Sequence, residues 1–373
     1  NGAHDFSWNY DPAPESQDHI QLAQTYGHFI GGQFVMSSSE AYFNTINPAT
    51  GAVLAKVSQG TDADVDRAVA AARAAADGWA GLPGLERGKY LFRLARAIQE
   101  RGREFAVVES LDGGKPIRES KQIDVPLATA HFFYHAGWAD KFSYAMPHRQ
   151  VSPYGVIGQI IPWNFPLLMA AWKLAPALAT GNTVVLKPAE TTPLTALKLA
   201  ELVRDLDFPP GVVNVVTGDG ETGGALVRHQ DVDKLAFTGS TEVGKIIQRQ
   251  ATVSGKALTL ELGGKAANII LEDAALDQAV EGIINGIYFN KGHVCCAGSR
   301  LLVQESISDQ LIENLKSTGV DFANIKYVFI THGHFDHAGG ASVLKPLLPN
   351  AKFVMTQAGW DEAIKSAANS KGR

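Results

Sequence analysis

The stretch TVVLKPAETTPLTALKLAELVRDLDFPPGVVNVVTGDG, from Thr183 to Gly220, sets the architecture. Two short apolar runs rich in β-branched residues, TVVLK and VVNVV, bracket a segment from Pro193 to Leu206 with helical spacing of its apolar residues. The same rhythm extends outward in both directions. VIGQII, KLAFTG and LTLEL are further runs of strand length, separated by helical stretches, from Gly155 onward. Strands without polar alternation are buried on both faces, and strands alternating with helices build a doubly wound parallel sheet. The expected fold class is therefore α/β. Ligands of such sheets bind beyond the carboxyl ends of the strands, so the residues that follow each run are the candidates for binding chemistry.

Upstream, YGHFIGGQFV reads as two strands joined by a Gly-Gly turn, and INPATG as another turn. Thr61 is placed to cap a helix in which Val65, Ala68, Val69, Ala72 and Ala76 share a face. A second helix is expected through Leu91, Leu94, Ala95 and Ile98. Downstream, Asp273 is placed to cap a helix with Leu276, Ala279, Val280, Ile283, Ile284 and Ile287 on one side, which delivers the chain to Cys295. From about Leu311 the character changes to strand, His-rich loop, helix and strand.

Composition narrows the function classes. The 373 residues are 45% hydrophobic and 19% charged, ordinary values for a chain able to bury a core in more than one domain. A net charge of −5 without a block of Lys or Arg argues against nucleic acid or an anionic membrane as a partner. No apolar run has membrane-spanning length, and the polar start NGAHDFSWNYDPAPESQDH lacks the pattern of a signal peptide. The two cysteines, Cys295 and Cys296, are adjacent, which fits reduced thiols and a cytoplasmic location better than a structural disulfide.

Three features suggest chemistry. Cys295 lies in GHVCCAGSR, directly after a helix and among small residues. Glu261 in LELGGK ends an apolar strand beside a Gly-Gly turn, where it could swing and act as a base. Asn164 in PWNFP sits between two prolines that fix the backbone, so its amide is a candidate preorganised donor. Alone, each has an ordinary structural reading. Together they match the needs of aldehyde oxidation: a thiol to form a tetrahedral adduct, a base to activate water, and donors for the oxyanion.

The order PWNFP, VVLKPAE, FTGSTEVG, LELGGK, CCAGSR resembles the aldehyde dehydrogenase superfamily, from about Tyr26 to about Ser308. That resemblance implies Cys295 as nucleophile, Glu261 as general base, and Asn164 with the Cys295 N–H as oxyanion site, acting on a small aldehyde. It implies NAD as cofactor. Lys187 and Glu190 would hold the adenosine ribose, and the Glu190 charge would repel a 2′-phosphate, favouring NAD over NADP. Gly239, Ser240 and the helix start through Gly244 would meet the pyrophosphate, and Ile160 and Trp163 would wall the cleft. Phe237, Leu262, Gly220 and Gly223 complete the candidate cofactor set, the last two belonging to a literal G-x-G-x-x-G at Gly218, Gly220 and Gly223. The family usually carries Gln where this chain has His293.

A family member would continue well past the nucleophile, through a Glu-Ile-Phe-Gly-Pro motif and the strand used in forming homo-oligomers. This chain instead enters THGHFDHAGG, where His332, His334, Asp336 and His337 make the H-x-H-x-D-H pattern of the metallo-β-lactamase superfamily. That resemblance implies zinc. No His follows His337, so a complete dinuclear site is not expected. The reading is a chimera: a polar extension over 1–25, a cofactor domain over 26–262, the start of a truncated α/β catalytic domain over 263–316, and a short βαβ-like metallo-β-lactamase fragment over 317–373. NAD binding is expected to be weak and turnover low. A zinc-dependent hydrolase and an inactive chimeric product are the alternatives.

Overall fold

The strand Thr183–Lys187 is buried along its whole length in the structure, a computed structural model that describes residues 20–149, 151–318, 327–330 and 352–355. Its Val184 and Leu186 enter one hydrophobic core and Val185 enters another. Alternate side chains point to opposite faces of a strand, so this continuous apolar run is what a sheet covered on both sides requires.

That sheet comprises His28–Ile30 (β1), Gln33–Val35 (β2), Val156–Ile160 (β3), Thr183–Lys187 (β4), Val213–Val215 (β5), Lys234–Gly239 (β6) and Ala257–Leu262 (β7). Their order is β7-β6-β3-β4-β5-β1-β2. The pairs from β7 through to β5 are parallel, whereas β1 runs antiparallel to both β5 and β2. Gly31 and Gly32 both take positive φ (59° and 84°) in the two-residue turn between β1 and β2, a geometry that twists with the strands and suits glycine.

Helices Asp62–Gly81 (α1), Gly220–Arg228 (α4) and Thr241–Ser254 (α5) cover one face of the sheet. Pro166–Ala179 (α2) and Leu194–Asp205 (α3) cover the other, backed by Gly84–Glu100 and Val125–Trp138. The chain passes from β3 through α2, β4, α3 and β5, then returns to lay β6 against the opposite edge of β3. The order of strands reverses between β3 and β6, the kind of switch point beyond whose carboxyl ends such sheets bind ligands.

This sheet lies in a unit drawn from the described residues up to Lys265 and from Tyr288–Ala297. A second unit takes Ala266–Ile287 and the described residues from Gly298 onward. In it Ala267–Ile270 pairs in parallel with Arg300–Val303, and the helices Leu276–Tyr288 and Ser308–Ser317 contribute to a small core around Ile270, Val280 and Leu311. Tyr327–Ile330 and Lys352–Met355 also pair in parallel. Among the described residues, no helix is long and apolar enough to cross a membrane.

Thr61 caps α1 as its sequence position suggests, and Asp64 closes a capping box with it. Asp64 does more than cap. It is fully buried and accepts from the Ser37 hydroxyl (2.7 Å), the Ser38 N–H (3.1 Å), the Thr61 N–H (3.0 Å) and the Arg67 guanidinium. Burial works against its charge, but these donors hold its carboxyl well below the ordinary range. Thr61→Ala should cost about 1 kcal/mol, whereas Asp64→Ala strands several buried donors and should cost about 3–5 kcal/mol. Urea midpoints at unchanged slope check both. Because the Asp64 carboxyl is depressed, its contribution is present above the unfolded value near 4 and fades as pH falls below it, so the Asp64→Ala gap should narrow in acid.

Candidate active site

Ile160 ends β3, and PWNFP carries the chain from there into α2. Buried groups hold that turn. Phe165 is in the core, with the Lys115 ammonium 4.1 Å from the centre of its ring. Lys115 in turn bonds Asp124 and lies 3.9 Å from Glu109, whose carboxylate accepts from the Leu167 N–H in the first turn of α2. Burial raises the Glu109 carboxyl above its ordinary range, although Lys115 works against it. Asn164 is thus presented from a backbone tied down on its carboxyl side.

The thiol arrives from elsewhere in the chain. After the helix Leu276–Tyr288, the turn Phe289–Gly292 contains two left-handed residues, Asn290 and Lys291, and three residues later the chain reaches Cys295. The Asn164 side-chain amide donates to the His293 carbonyl at 2.8 Å, so the PWNFP turn and the thiol loop are joined directly. Asn290 is fully buried and donates from Nδ2 to the Asn164 carbonyl (2.8 Å) and to the His293 carbonyl (3.1 Å). Its own N–H donates to the Glu119 carboxylate at 2.9 Å.

Cys295 and Cys296 are both exposed free thiols. Partial burial pushes the Cys295 thiol up, and the neighbouring Cys296 adds to the shift. His293 does nothing to oppose this. Its imidazole packs edge-on against Trp163, with centroids 4.7 Å apart, and burial followed by the charge of Lys291 lowers its pKa. A neutral imidazole at physiological pH supplies no cation to stabilise a thiolate. The substitution of His for the expected Gln therefore adds no positive charge at the thiol.

Glu261 stands near the carboxyl end of β7, exposed, and faces a different cleft, of about 560 Å³, shared with Gln159, Trp172 and Lys173. Among the described residues no hydrogen bond or ion pair joins Glu261 to Cys295. Lys173 is a residue that sequence reasoning passed over. Its ammonium is lowered to about 8 by burial, with the Glu261 charge acting against the fall. The available signal was its isolation, since Lys173 is the one charge in PLLMAAWKLAPALA. Asn290 was also missed. Nothing in the local pattern marks a residue whose side chain reaches a carbonyl 126 residues away and whose N–H reaches a carboxylate 171 residues away.

The candidate cofactor residues gather at the strand ends. Buried Lys187, ending β4, lies 3.4 Å from half-exposed Glu190, and burial depresses the Lys187 ammonium against the pull of that carboxylate. A Cβ on Gly223 would stand 3.7 Å from Ile160 Cδ1 and 3.8 Å from Lys187 Cδ, so these three residues, from three segments, meet at one place. Gly220 opens α4, where Asp219 is the cap. Ser240 caps α5 and spends its hydroxyl oxygen on the Val243 N–H at 3.2 Å. Gly239 is pressed by the Phe237 ring and Gly244 by the Leu262 side chain, each closer than a Cβ could tolerate (2.4 and 2.5 Å). Phe237 itself is in the core. Trp163, Glu190 and His293 line a cleft of about 980 Å³, large enough for a cofactor-sized ligand. His332, His334, Asp336 and His337 lie outside the described residues. Among the described residues no cluster of His, Cys, Asp or Glu forms a metal site.

The model of the aldehyde dehydrogenase family matches residues 34–321. This chain belongs to the aldehyde dehydrogenase family. It is 49% identical over 315 residues to the mitochondrial aldehyde dehydrogenase of Homo sapiens, covering 81% of this chain and 60% of that protein. It is 47% identical over 307 residues to an aldehyde dehydrogenase of Alternaria alternata, covering 79% and 62%. Among solved structures, an NAD+ complex of aldehyde dehydrogenase from Bacillus cereus superposes with a TM-score of 0.76 at 43% identity, over 83% of this chain and 66% of that one. The chain thus spans about 60% of the length of the curated relatives it matches. A second family model, the metallo-β-lactamase superfamily, matches residues 300–358 and overlaps the first.

The raised Cys295 thiol makes alkylation a direct reporter. The rate with iodoacetamide should climb through an inflection above the ordinary cysteine value of about 8.5. Cys296→Ser removes the secondary cause and should move that inflection downward. An unchanged profile would show that Cys296 has no electrostatic hold on its neighbour.

Proposed function

We propose that this chain provides the nucleophile and most of the cofactor-binding residues for NAD-dependent oxidation of an aldehyde to a carboxylic acid. The observation that carries the reading is the hydrogen bond from the Asn164 amide to the His293 carbonyl, which brings a preorganised donor to the loop bearing an exposed thiol. In this reading the Cys295 thiol releases its proton to water and its sulfur adds to the aldehyde carbon as the carbonyl π pair moves to oxygen. The Asn164 amide and the Cys295 N–H stabilise the oxygen as its charge develops. NAD, when bound, supplies the hydride acceptor. The resulting thioester on Cys295 is opened by water; Glu261, which would have to swing out of the cleft it shares with Lys173, takes the proton as the new C–O bond forms and the C–S bond breaks.

The residues suit the cofactor. A vicinal diol finds a carboxylate acceptor in Glu190 and a donor in the Lys187 ammonium, and the α5 N-terminus offers N–H groups to a diphosphate. A negative Glu190 disfavours a 2′-phosphate. Cys295 and Cys296, exposed and unpaired, fit a compartment that keeps thiols reduced, such as the cytoplasm.

NADH formation with a short aldehyde tests the reading. Cys295→Ala should abolish it, and Glu261→Gln should slow it by about a hundredfold or more. Equal NADH formation by the Cys295→Ala protein would sink the proposal.

A second reading rests on the metallo-β-lactamase match over 300–358, which overlaps the aldehyde dehydrogenase match where the two segments are proposed to join, near Gln310. His332, His334 and either Asp336 or His337 would make an incomplete zinc site. Purified protein is expected to hold zinc well below stoichiometry. Stoichiometric zinc, lost on His332→Ala, would instead establish metal chemistry in this segment.

A further inference from the structure

The nucleophile reading leaves open what sets the spacing between the oxyanion amide and the thiol, and the structure points to one buried side chain. We infer that Asn290 is a positioning residue, which holds the Asn164 amide in register with Cys295 by donating both Nδ2 hydrogens to the backbone carbonyls of Asn164 and His293. The inference rests on the proposed roles of Cys295 and Asn164.

Asn290 sits at the junction of three segments. Its Nδ2 reaches the PWNFP turn through the Asn164 carbonyl and the thiol loop through the His293 carbonyl. The His293 N–H returns to the Asn290 carbonyl at 2.9 Å, closing a tight ring ahead of Cys295. The His293 carbonyl therefore receives two amide donors, one from Asn290 and one from Asn164. This arrangement defines where the Asn164 amide points. One of its hydrogens is taken by His293, so the direction of the other follows from the planarity of the group.

The backbone shows how strongly the site is held. Asn290 and Lys291 adopt φ of 47° and 59°, a region that L residues enter only where surrounding contacts offset the strain, and Asn tolerates it better than most. Those contacts are identifiable: the Glu119 carboxylate on the Asn290 N–H, and the Gly113 carbonyl on the Lys291 ammonium. Phe289 packs 6.0 Å from Phe165, again joining the thiol loop to PWNFP. A side chain with no exposed surface, placed between the donor and the nucleophile and bonded to both backbones, does not touch substrate. It acts through Asn164.

An activated ester and an alkylating agent separate this role from general loop support. Cys295 attack on p-nitrophenyl acetate forms a sulfur–carbon bond, develops an oxyanion on the carbonyl oxygen, and expels nitrophenolate to leave the acetyl thioester. Attack on iodoacetamide displaces iodide and develops no oxyanion. Neither reaction needs NAD. Asn290→Gly keeps the left-handed backbone and removes both donors, and should slow nitrophenolate release about tenfold or more while changing alkylation less than about threefold. In an Asn164→Ala background the same change should cost little further, because both act through one amide.

Equal losses in both reactions, or additive losses with Asn164→Ala, would overturn the inference. Should Asn290→Gly lose its far-UV circular dichroism signal, Asn290→Asp, equal in size but without donors, takes its place. Loss of fold in both variants would make Asn290 a folding residue and overturn the positioning role. A wild-type protein releasing no more nitrophenolate than Cys295→Ala would defeat the nucleophile reading itself. Release in the wild type that Asn290→Gly leaves unchanged defeats only the inference.

Discussion

Val184, Val185 and Leu186 send successive side chains into two different cores, so the strand they form can present polar chemistry only at its ends. The same holds for Val156 and Ile157 in the neighbouring strand, which divide between the same two cores. Two-sided burial pushes every functional group of this unit out to where the strands stop. Lys187, Ser240, Glu261 and the PWNFP turn all stand there, although the chain separates them widely. The order of strands reverses between β3 and β6, the kind of point where ligands of such sheets bind, so the polar side chains gather where a ligand would sit.

The fold was legible in the sequence to the degree that it obeys local rules. A cap at Thr61, a face of Val65, Ala68, Val69, Ala72 and Ala76, and continuous apolar runs each declare themselves within a few residues, and the structure places α1 and the parallel strands accordingly. The motif order carried the family in the same way. Candidate site residues were legible as types but not as geometry. Glu261 looks in sequence like a partner of Cys295, yet in the structure its cleft is shared with Lys173. Asn290 carries no periodicity and completes no motif that was read, because its role comes from contacts that only tertiary folding creates. His293 could be flagged as a departure, but the sign of its effect depended on which way the ring turned.

That ring orientation bears on how the thiol can work at all. Low cysteine pKa values need a neighbouring cation or a helix N-terminus. Of the basic residues that precede Cys295, His293 is lowered by burial and the charge of Lys291, and Lys291 donates to the Gly113 carbonyl. Burial and the second thiol then move Cys295 in the other direction. A thiol with a raised pKa is a weak nucleophile in the ground state, but each thiolate it forms is the more basic and hence intrinsically the more nucleophilic. The proposed reaction would then depend on proton removal at the moment of attack and on stabilisation of the oxygen that receives the charge.

Under the proposed mechanism, a site built in this way would place its catalytic weight on preorganised donors rather than on standing charge. In the proposed oxyanion role the Asn164 amide, being neutral, would work only by direction, so an error in its aim would not be forgiven as an error in the placement of a diffuse positive field would be. This explains why so much buried structure converges on two short turns: Lys115, Asp124 and Glu109 beneath Phe165 and Leu167, and Glu119 and Asn290 beneath the thiol loop. Charged groups in an interior are expensive unless paired. Their concentration under PWNFP is consistent with a turn whose geometry matters more than the stability those residues forgo.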